Sequence, residues 1–137
     1  MRKFNHRAMD TEFTVFFADG EDESLIAAAS AAAFARIDEL ELLLTRFNDT
    51  SDVAVIAALK PGQVAVVAPE TMDVLVASAQ VCAATGGAFD PTVGPVMSRL
   101  KKCATAWEAL TEEELEDAFA RGGMQRLVLD VEHRRVA

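Results

Sequence analysis

The sequence predicts an α+β domain in which a long amphipathic helix and two or three shorter ones cover one face of a small, largely antiparallel sheet. Three observations carry this: an alternating apolar run near residues 12–18, three- and four-residue apolar spacing from 23 to 48, and short valine- and leucine-rich runs near 64–67 and 127–137. At 137 residues, 51% hydrophobic and 26% charged, the chain has the size and composition of one compact domain. No repeat, linker or low-complexity tract divides residues 1–137.

Phe13, Val15 and Phe17 alternate with Glu12, Thr14 and Phe16, the period of a half-buried strand that Asp19-Gly20 ends. From about Glu23 to Asn48, Ile26, Ala29, Ala33, Ile37, Leu40, Leu44 and Phe47 form one stripe, so a helix about 39 Å long is expected. Asn48-Asp49-Thr50-Ser51 is a polar hinge before a short helix at Asp52 to Leu59 and the Pro61-Gly62 turn. Val64, Val66 and Val67 read as a brief strand. Pro69 suits a first helical position, Met72, Leu75, Val76, Ala79 and Cys82 supply the stripe, and Gly86 the stop. Thr111 and Glu114 form a capping box, Leu110 is placed to staple onto Leu115, and Leu115, Ala118 and Phe119 are expected to face inward until Gly122-Gly123. Leu127, Leu129 and Val131 then alternate as a strand that turns through Glu132-His133 into a last one at Arg135 to Ala137. A terminal strand of this kind is expected to need a partner for its edge and apolar face.

Thirteen Lys and Arg against 22 Asp and Glu give a net charge of −9, which opposes binding to nucleic acid or anionic lipid. The apolar stretch from Leu25 to Ala35 is too short to span a membrane, and Asn5, His6, Arg7 and Asp10 interrupt any signal-peptide core behind Arg2-Lys3. A cytoplasmic location is the expectation. Cys82 and Cys103, with no CxxC pair or Cys/His cluster, read as small apolar fillers. His6 and His133 have no carboxylate or cysteine at ligand spacing, and Glu112-Glu113-Glu114 with Glu116 and Asp117 reads as a solvated helix face.

The most unusual segment is Thr85-Gly86-Gly87-Ala88-Phe89-Asp90-Pro91-Thr92-Val93-Gly94-Pro95. Its glycines remove side chains from the path of a ligand, and Asp90 or Thr92 can cap a helix beginning near Val93. Read alone, it is a helix-turn-helix connection. Phe47, at the end of the long helix, either closes a core or stacks on a planar ligand, with the core as default. Met9, ahead of the first strand, either fills a gap or packs on a ring.

Four segments in order resemble the N-terminal half of the ApbE-type FAD:protein FMN transferases, from about residue 6 to the end. They are His6 with Met9-Asp10-Thr11-Glu12-Phe13-Thr14, Leu44-Thr45-Arg46-Phe47-Asn48, Ser51-Asp52-Val53-Ala54, and the 85–95 segment, which is similar to the family signature throughout. The resemblance implies that Met9, Phe47, Ala88, Phe89 and Asp90 contact FAD. Asp10 replaces the usual glycine, Ala57 a common asparagine, and Val96-Met97-Ser98-Arg99-Leu100 a frequent Leu-Trp pair.

The activity so implied is magnesium-dependent transfer of FMN from FAD to a threonine of a target flavoprotein, with release of AMP. The family's Gly-Gly-Ile-Ala-Lys-Gly-type segment and later Asp/Thr metal segment do not occur here, so the Mg2+ ligands are expected in a C-terminal half. Neither a catalytic residue nor a metal ligand is assigned to this chain. Its expected partners are FAD, the target threonine, and a complementing C-terminal half or a second copy. The alternative function is a noncatalytic flavin-binding or interaction module. A further alternative is that uncovered apolar faces at Val64–Val67 and Leu127–Val131 leave no function.

Overall fold

The computed structural model describes residues 1–20, 22–106 and 111–137. It divides into two compact units, Met1–Leu59 and Lys60–Ala137.

In the first unit, β1 (Arg2–Ala8) and β2 (Thr11–Phe17) pair antiparallel from Arg2↔Phe17 to Ala8↔Thr11. β1 was not anticipated, because its apolar positions Phe4 and Ala8 are interrupted by His6. On one face of this hairpin Phe4, His6 and Ala8 lie opposite Val15, Phe13 and Thr11, and Phe4 meets Phe17 edge-to-face at 6.0 Å. On the other face Asn5 donates to Glu12 at 3.1 Å and accepts from Thr14 at 3.2 Å, a polar ladder suited to water.

The helix α1 (Glu23–Leu44) starts where the Asp22 carboxylate accepts the N–H groups of Ser24 and Leu25. Ile26 is buried and Ala33, Ile37, Leu40 and Leu44 are half-buried, as the stripe predicts, but Ala29 is exposed. The helix runs 22 residues, about 33 Å, and stops short of the expected end. Thr45 is already extended, and its carbonyl accepts the Ser51 hydroxyl, which pulls the chain away from the helix axis. Ser51 then caps α2 (Asp52–Ala57) by accepting the Ala54 N–H at 3.1 Å.

In the second unit, β3 (Ala65–Val66), β4 (Leu129–Asp130) and β5 (Arg135–Val136) form a second antiparallel sheet in the order β3-β5-β4. The described strands thus make two small sheets instead of one. The terminal strand β5 is central, paired on both sides, so the open edges belong to β3 and β4. Ala65, Val136 and Leu129 share the inner face. There Ala65, Val67 and Val136 are buried with Met72 and Thr71 of α3 (Pro69–Ala84). Val64, Val66 and Val128 lie exposed on the outer face, so the strands are covered on one side and bare on the other.

α4 (Gly94–Ala106) and α5 (Glu112–Ala120) follow, the latter with the Thr111–Glu114 capping box in place. Ala118 is buried and Leu115 half-buried, but Phe119 is exposed, on the far side of a nine-residue helix that buries only a narrow stripe. Leu110 and the side chain of Cys103 lie outside the described residues. Among those described, no helix is long and apolar enough to cross a membrane.

Candidate functional site

Met9 and Asp10 are the two-residue loop of the β1–β2 hairpin, with φ of 51° and 58°. Two positive φ values mark the mirror-image turn that matches strand twist, and glycine suits its second position best. Asp10 adopts it as a short polar residue can, its side chain 99% exposed and 3.7 Å from Arg7. Replacing Asp10 by glycine should therefore raise stability by about 0.5 kcal/mol, the left-handed strain relieved less the added chain entropy. A thermal melt reads this as a midpoint a few degrees higher, and an unchanged or lower midpoint counts against it.

Met9 has no such excuse. Its left-handed conformation costs about 1–2 kcal/mol, imposed by the hairpin that closes at Ala8 and Thr11 and offset by a charge-assisted hydrogen bond of comparable strength. The Met9 N–H donates to Glu41 Oε1 at 2.8 Å, from the hairpin tip to the last turn of α1. One turn earlier the Asp38 carboxylate meets His6 Nε2 at 2.6 Å, and the His6 ring stacks on Phe34 at 4.9 Å. His6 thus has a carboxylate partner that spacing did not reveal, since 32 residues separate the pair. His133 meets Asp130, only three residues before it, at 2.9 Å, so the reading that it lacks a nearby carboxylate partner is corrected by a local pair.

Phe47 lies three residues beyond α1 and is 80% exposed, which overturns a core role. Its ring sits under the Arg46 guanidinium at 4.8 Å, and its N–H donates to Thr45 Oγ1 at 3.2 Å. Thr45 in turn donates its N–H to the Glu41 carbonyl at 2.9 Å. Met9 and Phe47 are therefore both tied to Glu41, one through its side chain and one through its backbone.

In the second unit α3 ends in a Schellman motif. The Gly87 N–H reaches the Cys82 carbonyl at 2.9 Å and the Gly86 N–H reaches Ala83 at 3.2 Å, with φ of 84° and 60°. Both glycines are required by these angles and not by crowding, because a Cβ on either would meet nothing within 4 Å. The Thr85 hydroxyl donates to the Val81 carbonyl at 2.9 Å and accepts the Phe89 N–H at 3.1 Å, folding the chain back. Gly86, Gly87, Ala88 and Phe89 are all exposed.

Asp90 is half-buried and closes a turn, accepting the Thr92 N–H at 2.8 Å and hydroxyl at 2.6 Å. Neither residue was found capping α4, which Val93 opens by accepting from Met97. The Thr92 hydroxyl also accepts the Gly123 N–H, and a Cβ on Gly122 would lie 3.0 Å from the Thr92 carbonyl oxygen. The glycine pair that ends α5 is thus what lets Thr92 approach.

The Thr92 hydroxyl holds the Asp90 carboxyl below the usual carboxylate range; partial burial opposes it, and the N–H groups of Thr92 and Met124 reinforce it. With the folded-state value depressed, the stabilisation is fully present above the unfolded value of about 3.9 and is lost as pH falls through the lower folded one. The Thr92 amide resonance should accordingly stay constant from about pH 8 to 5 and move only below about pH 4. A midpoint at or above the ordinary aspartate range would contradict the assignment.

Among the described residues no three His, Cys, Asp or Glu side chains converge. A divalent cation needs several oxygen ligands, and Asp90 spends its carboxylate on Thr92, so the described residues do not make a Mg2+ site. A cavity of about 390 Å³ lies between α4 and α5, and none of its lining residues belongs to the 85–90 loop. It is lined by Pro95, Ser98, Arg99, Asp117, Ala118 and Arg121, and both arginines are paired, to Glu114 and Asp117.

A family model described as ApbE family matches residues 9–137. No curated protein matches the chain. Among solved structures, the apo form of the flavinyl transferase ApbE from Pseudomonas stutzeri aligns with a TM-score of 0.72 at 23% identity, over 99% of this chain and 41% of that one. The ApbE protein from Thermotoga maritima gives 0.75 at 23% identity over 98% and 43%. The flavin transferase ApbE from Vibrio cholerae gives 0.71 at 18% over 99% and 44%. The chain thus spans less than half the length of these solved chains, and at such identities the likeness speaks for the fold.

Proposed function

The chain belongs to the ApbE family, and from that premise we propose that it is the flavin-contacting portion of an FAD:protein FMN transferase. In this reading residues 1–137 act as one N-terminal flavin-contacting domain. Met9 and Phe47 lie against ring systems, and the backbone of Ala88, Phe89 and Asp90 runs beside the dinucleotide. The reaction is attack of a target flavoprotein's threonine hydroxyl on the FAD pyrophosphate, which places FMN on the threonine and releases AMP. What this chain contributes is binding and orientation. Charge neutralisation by Mg2+ would come from ligands beyond the described residues, and no step is assigned to it here.

The observation that carries the reading is the bare loop at Gly86–Phe89. Its backbone is exposed, held from behind by Thr85 and Asp90, with open space over both glycines. The helix-ending turn itself demands both glycines through their positive φ angles, and what supports the reading is that the turn leaves their backbone facing open space.

Isothermal titration of the chain with FAD, alone and with a complementing C-terminal half, tests the proposal. Saturable binding is the expected result, with Mg2+-dependent AMP release only when both parts are present. No binding in either case defeats it. Binding without AMP release under both conditions, from a homodimer by mass, identifies the noncatalytic module instead.

A further inference from the structure

We infer that Glu41 is a positioning residue: its carboxylate holds the Met9 turn in the conformation that presents Met9 to the flavin, an inference that rests on the reading above. Three observations converge on it. Met9 stands at φ 51°, imposed by the hairpin closing at Ala8 and Thr11 and costly for an ordinary side chain, and the 2.8 Å bond to Glu41 anchors its amide from outside the hairpin. Glu41 occupies the last turn of α1, the negative end of the helix dipole, with no basic residue in that turn. A carboxylate there does nothing for the helix and is explained by what it grips outside it.

The grip also has a second point. Asp38, one turn back on the same helix, holds His6 on β1, so α1 contacts the hairpin both at its tip and along its length. Finally, the Glu41 carbonyl takes the Thr45 N–H that starts the turn carrying Phe47. That backbone bond survives substitution of the side chain, so the carboxylate itself acts on Met9 alone.

The test is a double-mutant cycle on the full chain with Glu41→Ala, Glu41→Gln, Met9→Ala and the Met9→Ala/Glu41→Ala pair. FAD affinity is read by flavin fluorescence, and exchange protection of the Met9 amide by NMR of protein labelled at methionine nitrogen. Glu41→Ala should weaken FAD binding about tenfold and strip protection from the Met9 amide, the loss of one charge-assisted bond. Glu41→Gln keeps an oxygen acceptor and should recover most of both. In the Met9→Ala background Glu41→Ala should cost less than about twofold, because the residue acts through Met9.

A merely structural Glu41 would lower affinity equally in both backgrounds and gain nothing from glutamine; that result, or a Met9 amide still protected in Glu41→Ala, overturns the inference. Wild-type chain that binds no FAD defeats the flavin reading and with it the functional role of the clamp. The amide measurement then shows separately whether Glu41 holds the turn.

Discussion

Val136→Asp should abolish the cooperative thermal transition of residues 60–137. Val136 is fully buried at the centre of the three-stranded sheet, with Ala65 opposite on one side and Leu129 on the other. An aspartate there must either carry an unpaired charge into the interior or take up a proton and bury an unsatisfied carboxyl, at a cost of several kcal/mol in both cases. A unit of 78 residues has a stability of about 4–12 kcal/mol, and the apolar residues that supply it here are few. Val136→Ala, which removes two methyl groups and adds no polar atom, should cost about 2 kcal/mol and leave a cooperative melt at a lower midpoint. Circular dichroism melts and amide NMR dispersion of β3, β4 and β5 distinguish the two. If Val136→Asp melts like the wild type, water reaches position 136 and the inner face is not the core described.

Local signals were legible wherever one residue's chemistry decides a boundary. Thr111 with Glu114, Pro69 at the start of α3, and Gly86 at its end were all readable because a capping box, a missing N–H and a positive φ act over three or four residues. The 85–95 segment was readable for the same reason, although its glycines turn out to be demanded by backbone angle. Contacts between distant residues were not readable. His6 with Asp38 and Met9 with Glu41 each span 32 residues, and nothing in either local pattern hints at the other half. β1 was missed although Phe4 and Ala8 alternate with polar residues; the sign that could have found it was Met9-Asp10 as a two-residue turn between two alternating runs. The end of α1 was overrun because Phe47 continues the apolar spacing. The Thr45–Ser51 bond that breaks the helix outweighs one ring's preference for burial. Sequence periodicity also cannot distinguish an aromatic that reaches the core from one such as Phe119 that stays outside, since both satisfy the same spacing.

Asp90→Ala should lower FAD affinity by at least about tenfold and the melting midpoint by a few degrees. Its carboxylate is the only recorded acceptor for the Thr92 hydroxyl, and Thr92 in turn receives the Gly123 N–H; removing it frees the loop from two directions. Stability should fall modestly, because Asp90 is half-buried and its carboxylate accepts from Thr92 and from the Met124 N–H, donors that alanine leaves unpaired. The informative comparison is Asp90→Asn, because a dinucleotide brings two negative phosphates and a lone carboxylate beside them repels. If Asp90 matters for geometry, asparagine retains an oxygen for Thr92, drops the repelling charge, and should bind FAD at least as well as the wild type. If asparagine instead fails as badly as alanine, the charge itself is required, which means that a cation or a cationic side chain stands between it and the phosphates. The affinity order of wild type, Asn and Ala, taken with and without Mg2+, therefore decides whether the loop is a shaped surface or one corner of a charged site. The network of hydrogen bonds around Thr92, which already occupies the carboxylate, favours the first.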